Sequence, residues 1–148
     1  MNITRSLLFV LPLISCGGNT EEQGQAASVQ EEQQATQGGT VEVAEFKRLL
    51  AERPGQLVDV RTPGEWAGGV IPGSAQIDFQ AADFQDRITA LDKERPVYVY
   101  CAAGGRSRKA MEQMDAMGFK EVYDLAGGMG AWSSSGGAVV PPSSAAQE

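Results

Sequence analysis

Histidine is absent from all 148 residues. That absence excludes any Cys–His or Ser–His–Asp catalytic arrangement built from this chain alone. It also removes the commonest metal ligand. Cysteine is scarce. Cys16 and Cys101 are the two present, too few and too far apart to hold a zinc ion. Runs of Lys and Arg are missing and the net charge is −7, which sets nucleic acid aside as a partner. The length allows one domain and not two.

The N-terminal apolar stretch is short. After Arg5, the one charge before Glu21, comes Leu7-Leu8-Phe9-Val10-Leu11-Pro12-Leu13-Ile14. A membrane-spanning helix needs about 20 apolar residues, so this run suits the apolar region of an export signal instead. The segment Leu13-Ile14-Ser15-Cys16-Gly17 ends it and resembles the lipobox of bacterial lipoproteins. The resemblance implies that residues 1–15 are a signal peptide and that Cys16 is the lipidated first residue of the mature chain. The protein is then expected to be exported and tied to a bacterial membrane through its lipid only, on the periplasmic or cell-surface side. Gly17 after the cysteine suits the outer membrane. Stable attachment takes more than one acyl chain, which diacylation of Cys16 would supply.

Residues 16–39 carry almost no large apolar side chain. They are expected to be a disordered tether, because they bury too little to offset the entropy of ordering. Residues 134–148, with Gly136-Gly137 and Pro141-Pro142-Ser143-Ser144, are expected to be a disordered tail. The folded domain is expected between them, over 40–133, which is small but sufficient for one core.

Within it, helical and extended patterns alternate. Val43, Phe46, Leu49 and Leu50 share one helical face that Pro54-Gly55 ends. Leu57-Val58-Asp59-Val60, Ala75-Gln76-Ile77 and Val122-Tyr123-Asp124-Leu125 read as short strands. Val97-Tyr98-Val99-Tyr100 lacks polar alternation, as a strand covered on both faces does. Thr62-Pro63-Gly64-Glu65 is a capping box with Pro at the first helical position. Phe84, Ile88 and Leu91 fall at helical spacing. Ala110, Met111, Met114 and Met117 form a stripe better read as a core-facing helix side than as a soft-metal site. The alternation implies βαβ units and a parallel sheet.

The segment that carries chemistry is Tyr100-Cys101-Ala102-Ala103-Gly104-Gly105-Arg106-Ser107. A buried strand ends at a cysteine, a small-residue loop follows, and a helix begins. Ligands of open α/β sheets bind at the carboxyl ends of the strands. The two glycines let backbone N–H groups from Ala102 to Ser107 turn toward one point, and the helix adds its positive end. Arg106, Arg108 and Lys109 make a basic spot in an acidic chain. Such a cradle lowers a thiol pKa and binds an anion against the thiolate. With Cys16 lipidated, Cys101 has no partner in the chain, which in an exported protein points to a reactive thiol.

Four ordered segments resemble the rhodanese-like sulfurtransferases. They are Cys101-x-x-x-x-Arg106-Ser107 after its strand, Asp59-Val60-Arg61 with downstream Glu65 and Trp66, Gly69-Val70-Ile71-Pro72-Gly73-Ser74, and Gly118-Phe119 through Gly127-Gly128 to Trp132. The resemblance spans the expected folded domain. It implies an α/β fold with a small parallel sheet of about five strands and helices on both faces. It also implies a double displacement in which Cys101 takes sulfane sulfur from a small donor anion such as thiosulfate and hands it to a thiol acceptor, with a protein acceptor left open. No cofactor or metal is implied. Ala102, Ala103, Gly104, Gly105, Arg106 and Ser107 would cradle the substrate. Arg106 either holds the donor's oxygens or braces the loop through a carboxylate. Asp59 and Arg61 are expected beside the site, as a bracing ion pair rather than as catalysts. Val70 departs from the family's frequent histidine. Four residues separate Cys101 from Arg106, one fewer than in the related phosphatase and arsenate reductase loops, which favours sulfur over phosphate. Two other readings compete. One is a catalytically silent binding module, disfavoured because Cys101 is kept. The other is a thiol redox protein, which would lack a resolving cysteine.

Overall fold

The β-branched and aromatic run Val97–Tyr100 forms β4, the middle strand of the sheet, in a computed structural model that describes residues 37–142. The other elements are β1 (Gln37–Val41), α1 (Val43–Glu52), β2 (Gln56–Asp59), α2 (Pro63–Trp66), β3 (Ala75–Gln76), α3 (Phe84–Thr89), α4 (Gly105–Ala116), β5 (Glu121–Leu125) and α5 (Gly128–Ser134). The strand order is β1-β5-β4-β2-β3, and every pairing is parallel. This is the expected α/β architecture.

All four residues of β4 are buried, because both of its faces are covered. Val97 and Val99 pack with Val58, Phe84, Ile88, Ala110 and Met114 on the side of α3 and α4. Tyr98 and Tyr100 pack with Phe46, Leu49, Leu57 and Trp132 on the side of α1 and α5. Phe46 meets Tyr98 and Trp132 edge to face, with centroids 5.6 and 6.4 Å apart, a geometry that suits the ring quadrupoles. The hydroxyls of these buried tyrosines are satisfied. That of Tyr98 donates to Arg53 O at 2.8 Å, and that of Tyr100 donates to Ser74 Oγ while accepting the Ile71 N–H. The methionine stripe is core: Met114 is fully buried, and Met111 and Met117 pack against the same cluster.

Two boundaries differ from expectation. The folded part starts at Gln37, inside the segment read as tether. There Gln37 to Val41 pair residue for residue with Glu121 to Leu125. Side-chain burial does not drive this strand, and backbone pairing does. Gly38 is required: it has φ 142°, and a Cβ there would lie 1.8 Å from Val122 O. The chain after α5 also packs back onto the domain. Trp132 Nε1 donates to Ala138 O at 2.9 Å, and Val140 exchanges two backbone hydrogen bonds with Val70. Val70 is thus buried under a returning segment. The signal peptide, Cys16, the tether up to residue 36 and the tail beyond residue 142 lie outside the described residues.

Candidate active site

Cys101 follows β4 directly, at the carboxyl end of the sheet, and is 1 % exposed. The chain must then turn sharply into α4. Gly104, with φ 97°, makes that turn as the residue capping the helix, and its N–H swings back to Cys101 Sγ at 3.1 Å. The Ser107 hydroxyl, one turn into α4, donates to the same sulfur at 3.4 Å. Burial pushes the thiol pKa up. The Ser107 hydroxyl and N–H, joined by the N–H groups of Ala103 and Gly104, outweigh burial and bring it below the usual thiol range. The N-terminus of the 12-residue α4 adds its dipole. α5 fixes the loop from behind, as Met129 N–H donates to Cys101 O and Gly130 N–H to Ala102 O.

Arg106 is held by a carboxylate. Both of its terminal nitrogens bond Glu65, at 2.7 and 2.6 Å, so it braces the loop against α2. Glu65 also accepts the Thr62 N–H and hydroxyl in the expected capping box. The Arg106 guanidinium, with help from Thr62, pushes the Glu65 carboxyl down to about 2. Asp59 and Arg61 form a buried pair 2.6 Å apart. Arg61 continues to Gly69 O and Glu65 O and lies over the Tyr100 ring. The two arginines therefore hold α2 from both sides and act as braces.

Above Cys101 opens a cleft of about 500 Å³, lined by Phe79, Gln80, Ala102, Ala103, Gly105, Arg106 and Lys109. Of the expected cradle, Ala102, Ala103, Gly105 and Arg106 face this cleft, while Gly104 and Ser107 are buried and act on the sulfur from beneath. Phe79 and Gln80 were not foreseen. They follow β3 in a segment without any motif, and only the fold brings them opposite the loop. The sequence pattern around Glu65 points to capping alone. A partner 41 positions away leaves no local signal. Lys109, which the sequence places only in the basic spot, lines the cleft and, among the described residues, has no acidic partner.

Residues 42–135 match the rhodanese-like domain family. The chain belongs to that family. Among rhodanese-like relatives, a sulfurtransferase of Allochromatium vinosum is 37 % identical over 96 residues, covering 65 % of this chain and 88 % of that protein. The thiosulfate sulfurtransferase GlpE of Pseudomonas aeruginosa is 41 % identical over 91 residues, covering 61 % and 80 %. A rhodanese-like domain protein from Staphylococcus aureus superposes with a TM-score of 0.61 at 34 % identity, over 71 % of this chain and 99 % of that one. This rhodanese-like domain thus keeps a buried cysteine at the floor of its cleft, in a family whose similar members include sulfurtransferases.

Proposed function

We propose that this protein is a sulfurtransferase that carries sulfane sulfur as a persulfide on Cys101. The observation that carries this reading is the Cys101 sulfur itself, buried at the floor of an open cleft and held by N–H and O–H donors that lower its pKa. A thiolate preformed in this way needs no neighbouring base, which suits a chain without histidine. The thiolate attacks the outer sulfur of thiosulfate, the S–S bond breaks, and sulfite leaves with its electron pair. One negative charge then rests on the outer sulfur of the persulfide, where the N–H groups of the loop and the N-terminus of α4 stabilise it. An acceptor thiolate, or cyanide in an assay, takes that sulfur and returns the Cys101 thiolate.

Arg106 is engaged by Glu65, so Lys109, which has no acidic partner among the described residues, is the better handle at the cleft for the donor's oxygens. The test is thiocyanate formation from thiosulfate and cyanide. Cys101→Ser is expected to abolish turnover with the fold kept. Lys109→Ala is expected to raise KM for thiosulfate about two- to fivefold with kcat retained, the size of one solvated charge contact. Full activity in Cys101→Ser would refute the reading. The Cys16 segment supports, as a further part of the proposal, export and lipid anchoring to a bacterial membrane, with small sulfur anions and thiols, or a protein acceptor, as the partners met there.

A further inference from the structure

The transfer of sulfur between inorganic anions leaves one wall of the cleft without a task. Phe79 follows β3, and its N–H donates to Val60 O at 3.4 Å. Asp78 fixes the turn that comes next: its Oδ1 accepts the Gln80 N–H at 2.8 Å and its carbonyl accepts the Ala81 N–H at 3.1 Å. The Phe79 ring stands edge to face on Phe84, with centroids 5.0 Å apart. Backbone and ring are therefore both held in place. Phe46, Phe84 and Phe119 are at most 4 % exposed, whereas Phe79 is half-buried and lines the cleft with Ala102 and Ala103. A ring that served the core alone would be buried as those three are.

The cleft is also larger than an inorganic donor needs. It holds about 500 Å³. Counted at about 30 Å³ for each water-sized atom, thiosulfate fills no more than about 150 Å³. Thiosulfate and cyanide have no apolar surface to set against a phenyl ring. An aromatic wall, two alanine methyls, the Gln80 side chain and the Lys109 cation, which has no acidic partner among the described residues, suit an organic molecule with one anionic group. We propose that Phe79 is the specificity-determining residue of the cleft: its ring seats the carbon skeleton of a small organic thiol whose carboxylate meets Lys109. Such an acceptor is favoured there over cyanide. Its thiolate attacks the outer sulfur of the Cys101 persulfide, the S–S bond breaks, and the Cys101 thiolate leaves with the electron pair. The acceptor departs as an organic persulfide. Lys109 serves donor and acceptor in turn, because the two occupy the cleft in successive steps. The reaction rests on the sulfur-transfer reading above, whereas the seat rests on the cleft alone.

Two measurements on the full chain test the seat. In the first, turnover of thiosulfate is followed with cyanide, mercaptoacetate or mercaptohexanoate as the acceptor. The wild type is expected to show a lower KM for mercaptohexanoate than for its shorter analogue. Phe79→Ala is expected to lower the ratio of kcat/KM for mercaptohexanoate to that for cyanide about fivefold or more. Phe79→Leu, which keeps an apolar body against Phe84, is expected to retain most of that ratio. In the second, Cys101 is alkylated by iodoacetamide or by an iodoacetamide extended with a hexanoate chain. Mass spectrometry on the Cys101 peptide reads the rates, so that Cys16 does not interfere. The wild type is expected to prefer the extended reagent, and Phe79→Ala to lose that preference. The wild-type comparisons need no variant, so a loosened turn in Phe79→Ala does not decide the outcome. Equal handling of short and extended compounds by the wild type, or an unchanged ratio in Phe79→Ala, would overturn the proposal. Alkylation needs no persulfide, so a chain that prefers the extended reagent yet never acquires sulfur would lose the transfer reading and keep the seat.

Discussion

In the proposed reaction Cys101 needs no general base, and the surrounding residues explain why. Its thiolate is favoured by donors that are already in place, so little reorganisation is needed when charge arrives. Keeping those donors aimed is the task of the braces. Arg106 ties the loop to Glu65, whose carboxyl is pushed down to about 2 from an ordinary value of 4.5, mainly by that guanidinium. A carboxyl with a depressed folded-state pKa stabilises the fold fully above its unfolded value. That contribution fades as pH falls through about 2. Glu65→Gln is therefore expected to lower stability at neutral pH and to weaken the acid-induced loss between about pH 4.5 and 2. Denaturant melts of both proteins across that range check it. Parallel pH dependences would show that the Glu65–Arg106 pair contributes nothing to folding.

At the scale of elements, β1 shows how a strand can be held by its backbone. Gly38 approaches β5 so closely that no side chain fits. Gly38→Val is expected to cost about 2–4 kcal/mol, by forcing β1 off the sheet edge. Thermal unfolding would reveal it, and an unchanged midpoint would show that β1 adds nothing. The same element marks the limit of what the sequence reveals. β2, β4, β5, α1 and α4 were legible because their apolar residues repeat with the right period, and the Cys101 loop because strand, glycines and helix follow one another. β1 has no apolar pattern, and Gly38-Gly39 reads as flexible chain until β5 is placed beside it. Phe79, Gln80 and the Glu65–Arg106 pair were hidden for a related reason. They meet only across the fold, so neither spacing nor composition announces them.

As a whole molecule, the chain sets a basic cleft on an acidic body with a net charge of −7. The anionic donors of the proposed reaction would be repelled by the whole, so their access would depend on the local field near Lys109. Attachment through Cys16 would present that cleft at a membrane surface. Cys16→Ser is expected to move the protein from the membrane to the soluble fraction with sulfur transfer intact, and continued membrane association would refute lipid anchoring. Intact mass spectrometry of the full chain tests the Cys101 persulfide most directly. Incubation with thiosulfate is expected to add one sulfur atom, about 32 Da, which cyanide removes and Cys101→Ser never acquires. A chain whose mass stays unchanged with thiosulfate and with organic persulfides would contradict sulfur transfer through Cys101 and leave it as a buried thiol in a binding module.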